Sequence, residues 1–156
     1  MDETSNIGNN TQTLWQYLFN PSVCSDGWSP YSGHCYIYNE TSLIWNTAND
    51  ECKRQGAYLL EIETQYENDW IITSLLFSLC SVTWDINCEV FVGGSTEKGV
   101  FKWECSNNLL TYQNWYPNEP SDIGTRECIF LMPNGQWSDG NCEYPRKFIC
   151  EKKQIT

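Results

Sequence analysis

Apolar residues along this chain change their spacing several times, and each change marks an element. Between Ser42 and Gln55, the residues Trp45, Ala48 and Cys52 recur at helical spacing. Thr41 or Ser42 can cap such a helix, and Gly56 can stop it. Tyr58 to Leu60 then forms a short apolar run suited to a buried strand. Thr64 and Glu67 make a capping box, which predicts a second helix beginning near Gln65 and ending before Cys80. Trp70, Ile71, Ser74 and Leu75 would supply its inward face. The run Val90 to Gly94, apolar and closed by glycines, predicts a central strand with a close backbone approach. Phe101 to Trp103 continues the sheet. Cys128 to Leu131, Gln136 to Asp139 and Lys147 to Glu151 predict closing strands, with Pro133-Asn134-Gly135 as a turn between the first two. Leu14 to Phe19 is too short to show a period. It predicts either an N-terminal arm that covers part of the domain or an oligomer contact.

Composition narrows the class. A chain of 156 residues is one domain of ordinary size, and with eight Trp large rings should dominate its core. A net charge of −11 argues against nucleic acid, polyanions and anionic membranes as partners, and is compatible with a cation site. No stretch approaches the length of a membrane span, so no membrane insertion is expected. Asp2 and Glu3 stand where a signal peptide would be basic, so the chain is expected to be a mature form or an ectodomain cut from a stalk. Nine cysteines occur with no C-x-x-C pair and one His, which disfavours structural zinc. They predict a disulfide framework and hence a secreted, extracellular protein. Triplets at Asn9 and Asn39 match the glycosylation acceptor pattern of a secreted glycoprotein. His34 sits in a turn beside Cys35, and because a nucleophile-base pair also needs an orienting partner and a cleft, no catalytic role is expected of it.

The stretch from Trp115 to Cys142 carries the candidate chemistry. Glu119-Pro120-Ser121 and Trp137-Ser138-Asp139 each precede a cysteine, Cys128 and Cys142. Carboxylates and hydroxyls are hard oxygen ligands of the kind that Ca²⁺ prefers, and they also hydrogen-bond sugar hydroxyls. Pro120 follows an X-Pro bond, which tolerates the cis form far better than other peptide bonds.

Together with the helix bearing Cys52, the following G-x-x-L run, and the Val90 to Gly94 strand with Phe91 in place of a tryptophan, these motifs resemble the C-type lectin-like domain family. The resemblance covers roughly residues 24–152. It implies an α+β fold: two helices flanking small, mostly antiparallel sheets, with a long binding loop. Residues 1–23 would then be an arm and residues 153–156 a tail. It also implies the disulfides Cys24–Cys35, Cys52–Cys150 and Cys128–Cys142. Of the remaining cysteines, Cys80–Cys88 is the favoured pair. That leaves Cys105 as a free thiol or as the bridge of a disulfide-linked dimer.

The family pattern further implies a Ca²⁺ site formed by Glu119, Ser121, Glu127 and Asp139, with Ser138 joining them around the sugar. This chain has serine at two positions where the family has an amide or acid. Arg126 stands where the family places its third acid, with Glu127 one position away. Arg126 could therefore take the place of the cation, and Asp122 is a further acid within reach. The expected partners are glycans or glycoproteins, with a galactose-type or relaxed preference, and the expected role is recognition of cells or microbes. Tyr116 and Tyr144 are candidate plates for the sugar's apolar face. The rival expectation is a domain that binds a protein receptor or ligand without calcium. An enzyme is the remotest expectation, because nothing marks either acid as a buried, protonated glycosidase group.

Overall fold

The computed structural model describes residues 24–77, 86–97, 99–121 and 127–155. The chain forms β1 (Ser29–Tyr31), β2 (His34–Leu43), helix α1 (Trp45–Arg54), β3 (Tyr58–Leu59) and helix α2 (Gln65–Ile71). Then follow β4 (Val90–Glu97), β5 (Val100–Trp103), β6 (Glu127–Leu131), β7 (Trp137–Asn141) and β8 (Arg146–Lys153). The sheet runs β1-β2-β8-β4-β6-β7, with β3 added to β8 and β5 to β4. All pairs are antiparallel except β4 with β8. The expected α+β architecture is present. Among the described residues no helix is long and apolar enough to cross a membrane.

Strand period explains how one sheet serves two cores. In β6, Cys128 and Phe130 face one cluster while Ile129 and Leu131 face the other. In β8, Phe148 and Cys150 alternate with Ile149 in the same way. Trp45, Ala48 and Cys52 of α1 close the first cluster. Ile71 at the end of α2 and Leu76 in the turn after it close the second, which also holds Trp137. Gly93 marks a close approach of two backbones: a Cβ there would lie 2.5 Å from the Leu59 carbonyl oxygen.

The disulfides Cys24–Cys35, Cys52–Cys150 and Cys128–Cys142 are formed. The second joins α1 to β8 across 98 residues. Each contributes on the order of 2–4 kcal/mol by restricting the unfolded chain. Cys88 is disulfide-bonded, but the Cys80–Cys88 pairing falls on Cys80, outside the described residues. The same holds for the N-terminal arm, Asp122 and Arg126.

Two helix details depart from expectation. Ser42 lies in β2, and α1 starts at Trp45 after Ile44, with no side-chain cap. The Trp45 N–H instead donates to the Cys142 carbonyl at 2.9 Å, so a distant loop closes this helix end. In α2, Thr64 caps as expected by accepting from the Glu67 N–H at 3.1 Å. The helix then widens into a π turn at Ile72–Leu76. That extra residue shifts the phase, so Leu76 is buried while Ser74 points outward.

Candidate functional site

Local turn chemistry places the first acid. In Tyr116-Pro117-Asn118-Glu119, the Glu119 N–H donates to the Tyr116 carbonyl at 2.9 Å, and Asn118 has φ +69°. Proline second and asparagine in a left-handed third position suit a tight turn of this kind. The Glu119–Pro120 peptide is cis. The loop is fixed to β7 by reciprocal backbone bonds: Tyr116 N–H to the Trp137 carbonyl and Trp137 N–H to the Asn114 carbonyl, each 2.8 Å.

Those bonds bring Glu119 up to Asp139. The Ser121 N–H donates to Asp139 Oδ1 at 2.7 Å and to Glu119 Oε2 at 3.0 Å, so one amide serves two carboxylates. The Ser121 hydroxyl donates to the same Asp139 oxygen at 3.2 Å. Asp139 is buried and Glu119 half-buried. Burial comes first among the causes that raise the Glu119 carboxyl above the ordinary carboxylate range. The hydrogen bond and negative charge of Asp139 push the same way, and the Ser121 N–H partly offsets them. A positive charge placed between these two acids would relieve their repulsion.

The other sequence candidates are spread around this pair. Ile129 pairs with Asp139 and Glu127 with Asn141, so Glu127 shares the Asp139 face of the β6–β7 hairpin. Glu127 is itself buried. Ser138 pairs with Phe130 on the opposite face, and its hydroxyl donates to the Asp139 carbonyl at 3.4 Å. Tyr116 packs against the core, whereas Tyr144 is 49% exposed and lies 5.2 Å from the Arg146 guanidinium. Among the described residues, no three His, Cys, Asp or Glu side chains form a ready metal cage. Glu119, Asp139 and Ser121 still form a hard-oxygen donor set that fits a calcium ion, provided that ligand hydroxyls and water complete the shell.

A second polar centre gave no sequence signal beyond acids within apolar strands. Glu151 of β8 is buried; it accepts from the Glu61 N–H at 3.1 Å and bonds His34 Nδ1. Glu61 in turn accepts from the Cys105 and Ser106 amides at 2.9 and 3.0 Å. Glu67 accepts from the Tyr36 hydroxyl at 2.7 Å. Burial, opposed by His34 and the Glu61 N–H, pushes the Glu151 carboxyl up to about 7. A folded pKa above the unfolded one means that its stabilising contribution is complete below about pH 4.5 and is lost as pH rises through 7. Glu151→Gln, which stays neutral, is therefore expected to gain up to about 3 kcal/mol relative to wild type between pH 5 and 8. Urea denaturation in chelator at both pH values checks this, and a constant difference would contradict it.

A helix stapled by a disulfide to a two-core sheet, with a second helix beside it and a loop pinned beside β7, defines a C-type lectin-like domain. The family model for the lectin C-type domain matches residues 41–152, and the chain belongs to this family. Human C-type lectin domain family 4 member A is 30% identical over 92% of this chain and 57% of its own length. The chain spans only 40% and 42% of two further curated relatives. The human scavenger receptor C-type lectin carbohydrate-recognition domain superposes with a TM-score of 0.74 at 25% identity, over 85% of this chain and 100% of that one. A calcium-independent type II antifreeze protein superposes at 0.71 with 25% identity, over 85% and 96% of the two chains.

Proposed function

We propose that this is a secreted, calcium-dependent lectin that binds terminal sugars with galactose-type or relaxed specificity. The observation that carries the reading is the Glu119–Asp139 carboxylate pair, held together by the single Ser121 N–H. Glu119, Asp139 and Ser121 would hold the ion, with Glu127 from the same hairpin face. The ion would supply the charge that lets two vicinal sugar hydroxyls join its shell. Each carboxylate then accepts a hydrogen bond from one sugar hydroxyl, while Ser121 can donate or accept; Ser138, turned to the other face of the hairpin, leaves the sugar shell. The carbohydrate-recognition name of the human scavenger receptor relative supports this class of ligand. A glycan array probed with calcium and with chelator tests it: binding lost with chelator is expected, and binding indifferent to chelator refutes it.

A second reading, a calcium-independent domain for a protein partner, is favoured by the lack of a three-ligand cage among the described residues. The solved structure named as a calcium-independent antifreeze protein supports the calcium-free half of this reading.

A single weak sugar site profits from being doubled, and Cys105 offers an exposed thiol for a bridge between two chains. Burial and the charges of Glu61 and Glu151 raise its pKa, so bridge formation is expected to quicken with rising pH. Non-reducing electrophoresis is expected to show a dimer that Cys105→Ser abolishes. A monomer with one titratable thiol would remove the dimer.

A further inference from the structure

We infer that a groove running from Pro120 takes the apolar aglycone of a neutral glycoside, so that the preferred ligand is a sugar carrying an alkyl chain; this rests on the carbohydrate reading above. The groove holds about 350 Å³ and is lined by Val100, Phe101, Leu109, Leu110, Trp115 and Pro120. Val100 is 49% and Leu109 59% exposed, an unusual outlay of large apolar surface on two neighbouring segments. The Phe101 and Trp115 rings tilt together at 5.2 Å between centroids and form the floor.

Chemistry selects the occupant. Among the described residues no lining residue is charged, and the one hydrogen-bonding side chain besides the Trp115 indole is Gln113. Gln113 is occupied at both ends: its Nε2 donates to the Leu110 carbonyl at 3.3 Å, and its Oε1 accepts from Trp115 Nε1 at 2.8 Å. A polar occupant would lose water here without replacement, whereas an alkyl chain loses nothing and buries apolar surface. The net charge of −11 further disfavours an anionic lipid.

Position joins the groove to the sugar site. Pro120 lines the groove and stands between Glu119 and Ser121, which meet at the acidic pair. Trp115, on the floor, also packs edge-on against Trp137 at 5.8 Å, two residues before Asp139. A substituent leaving a sugar held by Glu119 and Asp139 need pass only one residue to reach the floor.

The test compares methyl and n-octyl β-D-galactopyranoside, with the matching glucoside and mannoside pairs, by titration calorimetry below micelle-forming concentrations in calcium. The octyl member is expected to bind at least tenfold tighter than its methyl partner, since each buried methylene is worth up to about fourfold. Leu109→Ser with Val100→Ser, both at exposed positions, is expected to erase most of that gain while leaving methyl glycoside binding within twofold. Equal affinity for methyl and octyl members overturns the groove assignment and leaves the lectin reading standing. A gain that survives the double variant overturns it as well, as does octyl binding that chelator does not weaken. No binding of any glycoside in calcium fails the lectin reading and the groove together.

Discussion

Glu119→Gln combined with Asp139→Asn is expected to abolish both calcium-dependent stabilisation and sugar binding while leaving the calcium-free fold at least as stable as wild type. The last clause separates a binding site from a structural ion pair. In wild type the two carboxylates share one amide donor, and each lies in the field of the other. Neutral amides of the same size remove that repulsion and keep the packing. Calcium at a hundredfold excess over its Kd would stabilise wild type by about 2.7 kcal/mol. For a domain of this size that is on the order of 5–10 °C in melting temperature. Scans in calcium and in chelator measure it directly. A calcium shift that persists in the double variant would place the ion elsewhere, and no shift in wild type would leave the metal-free reading.

The second large effect concerns the residue that anchors the site strand. Trp137→Ala is expected to cost about 3–5 kcal/mol, the range for removing a buried aromatic side chain. Trp137 is fully buried, and Trp103, Tyr112 and Trp115 all meet its ring edge-on. Its indole N–H donates to Asn68 Oδ1 at 2.9 Å, so truncation also strands a buried acceptor. Trp137→Phe keeps most of the volume and loses the donor, and is expected to cost about 1–3 kcal/mol. Urea unfolding of the three proteins orders the effects. A loss below about 1 kcal/mol for the alanine variant would mean that the surrounding rings collapse into the space.

Loop and helix details show where reading the chain in one dimension runs out. Trp45, Ala48 and Cys52 announce α1 because helical period is local. Its first residue is set by the Cys142 carbonyl, far along the chain, and no neighbouring residue encodes that bond. The Thr64 cap was legible for the same local reason, whereas Leu76 is buried in place of Ser74, beside the expected Leu75, because a π turn shifts phase without a composition signal. The acid beside Pro120 and the acid after Trp137 were each visible. That one N–H would hold them together depended on two backbone bonds between the loop and β7. His34 and Glu151, 117 residues apart, offered no hint of their contact.

What the sequence by itself determined was the elements and the class: periodic apolar positions and turn residues act over a few residues and marked helices and strands, and the resemblance of the cysteine-marked motifs to C-type lectin-like domains implied the α+β class. What only the tertiary structure decided was which polar groups meet. Pairing of β6 with β7 puts Glu127 on the Asp139 face and turns Ser138 to the other side, and the folded loop exposes Val100 and Leu109 beside Pro120. Side-chain chemistry is carried by each residue alone, but desolvation and charge coupling arise only once distant segments exclude water from between them.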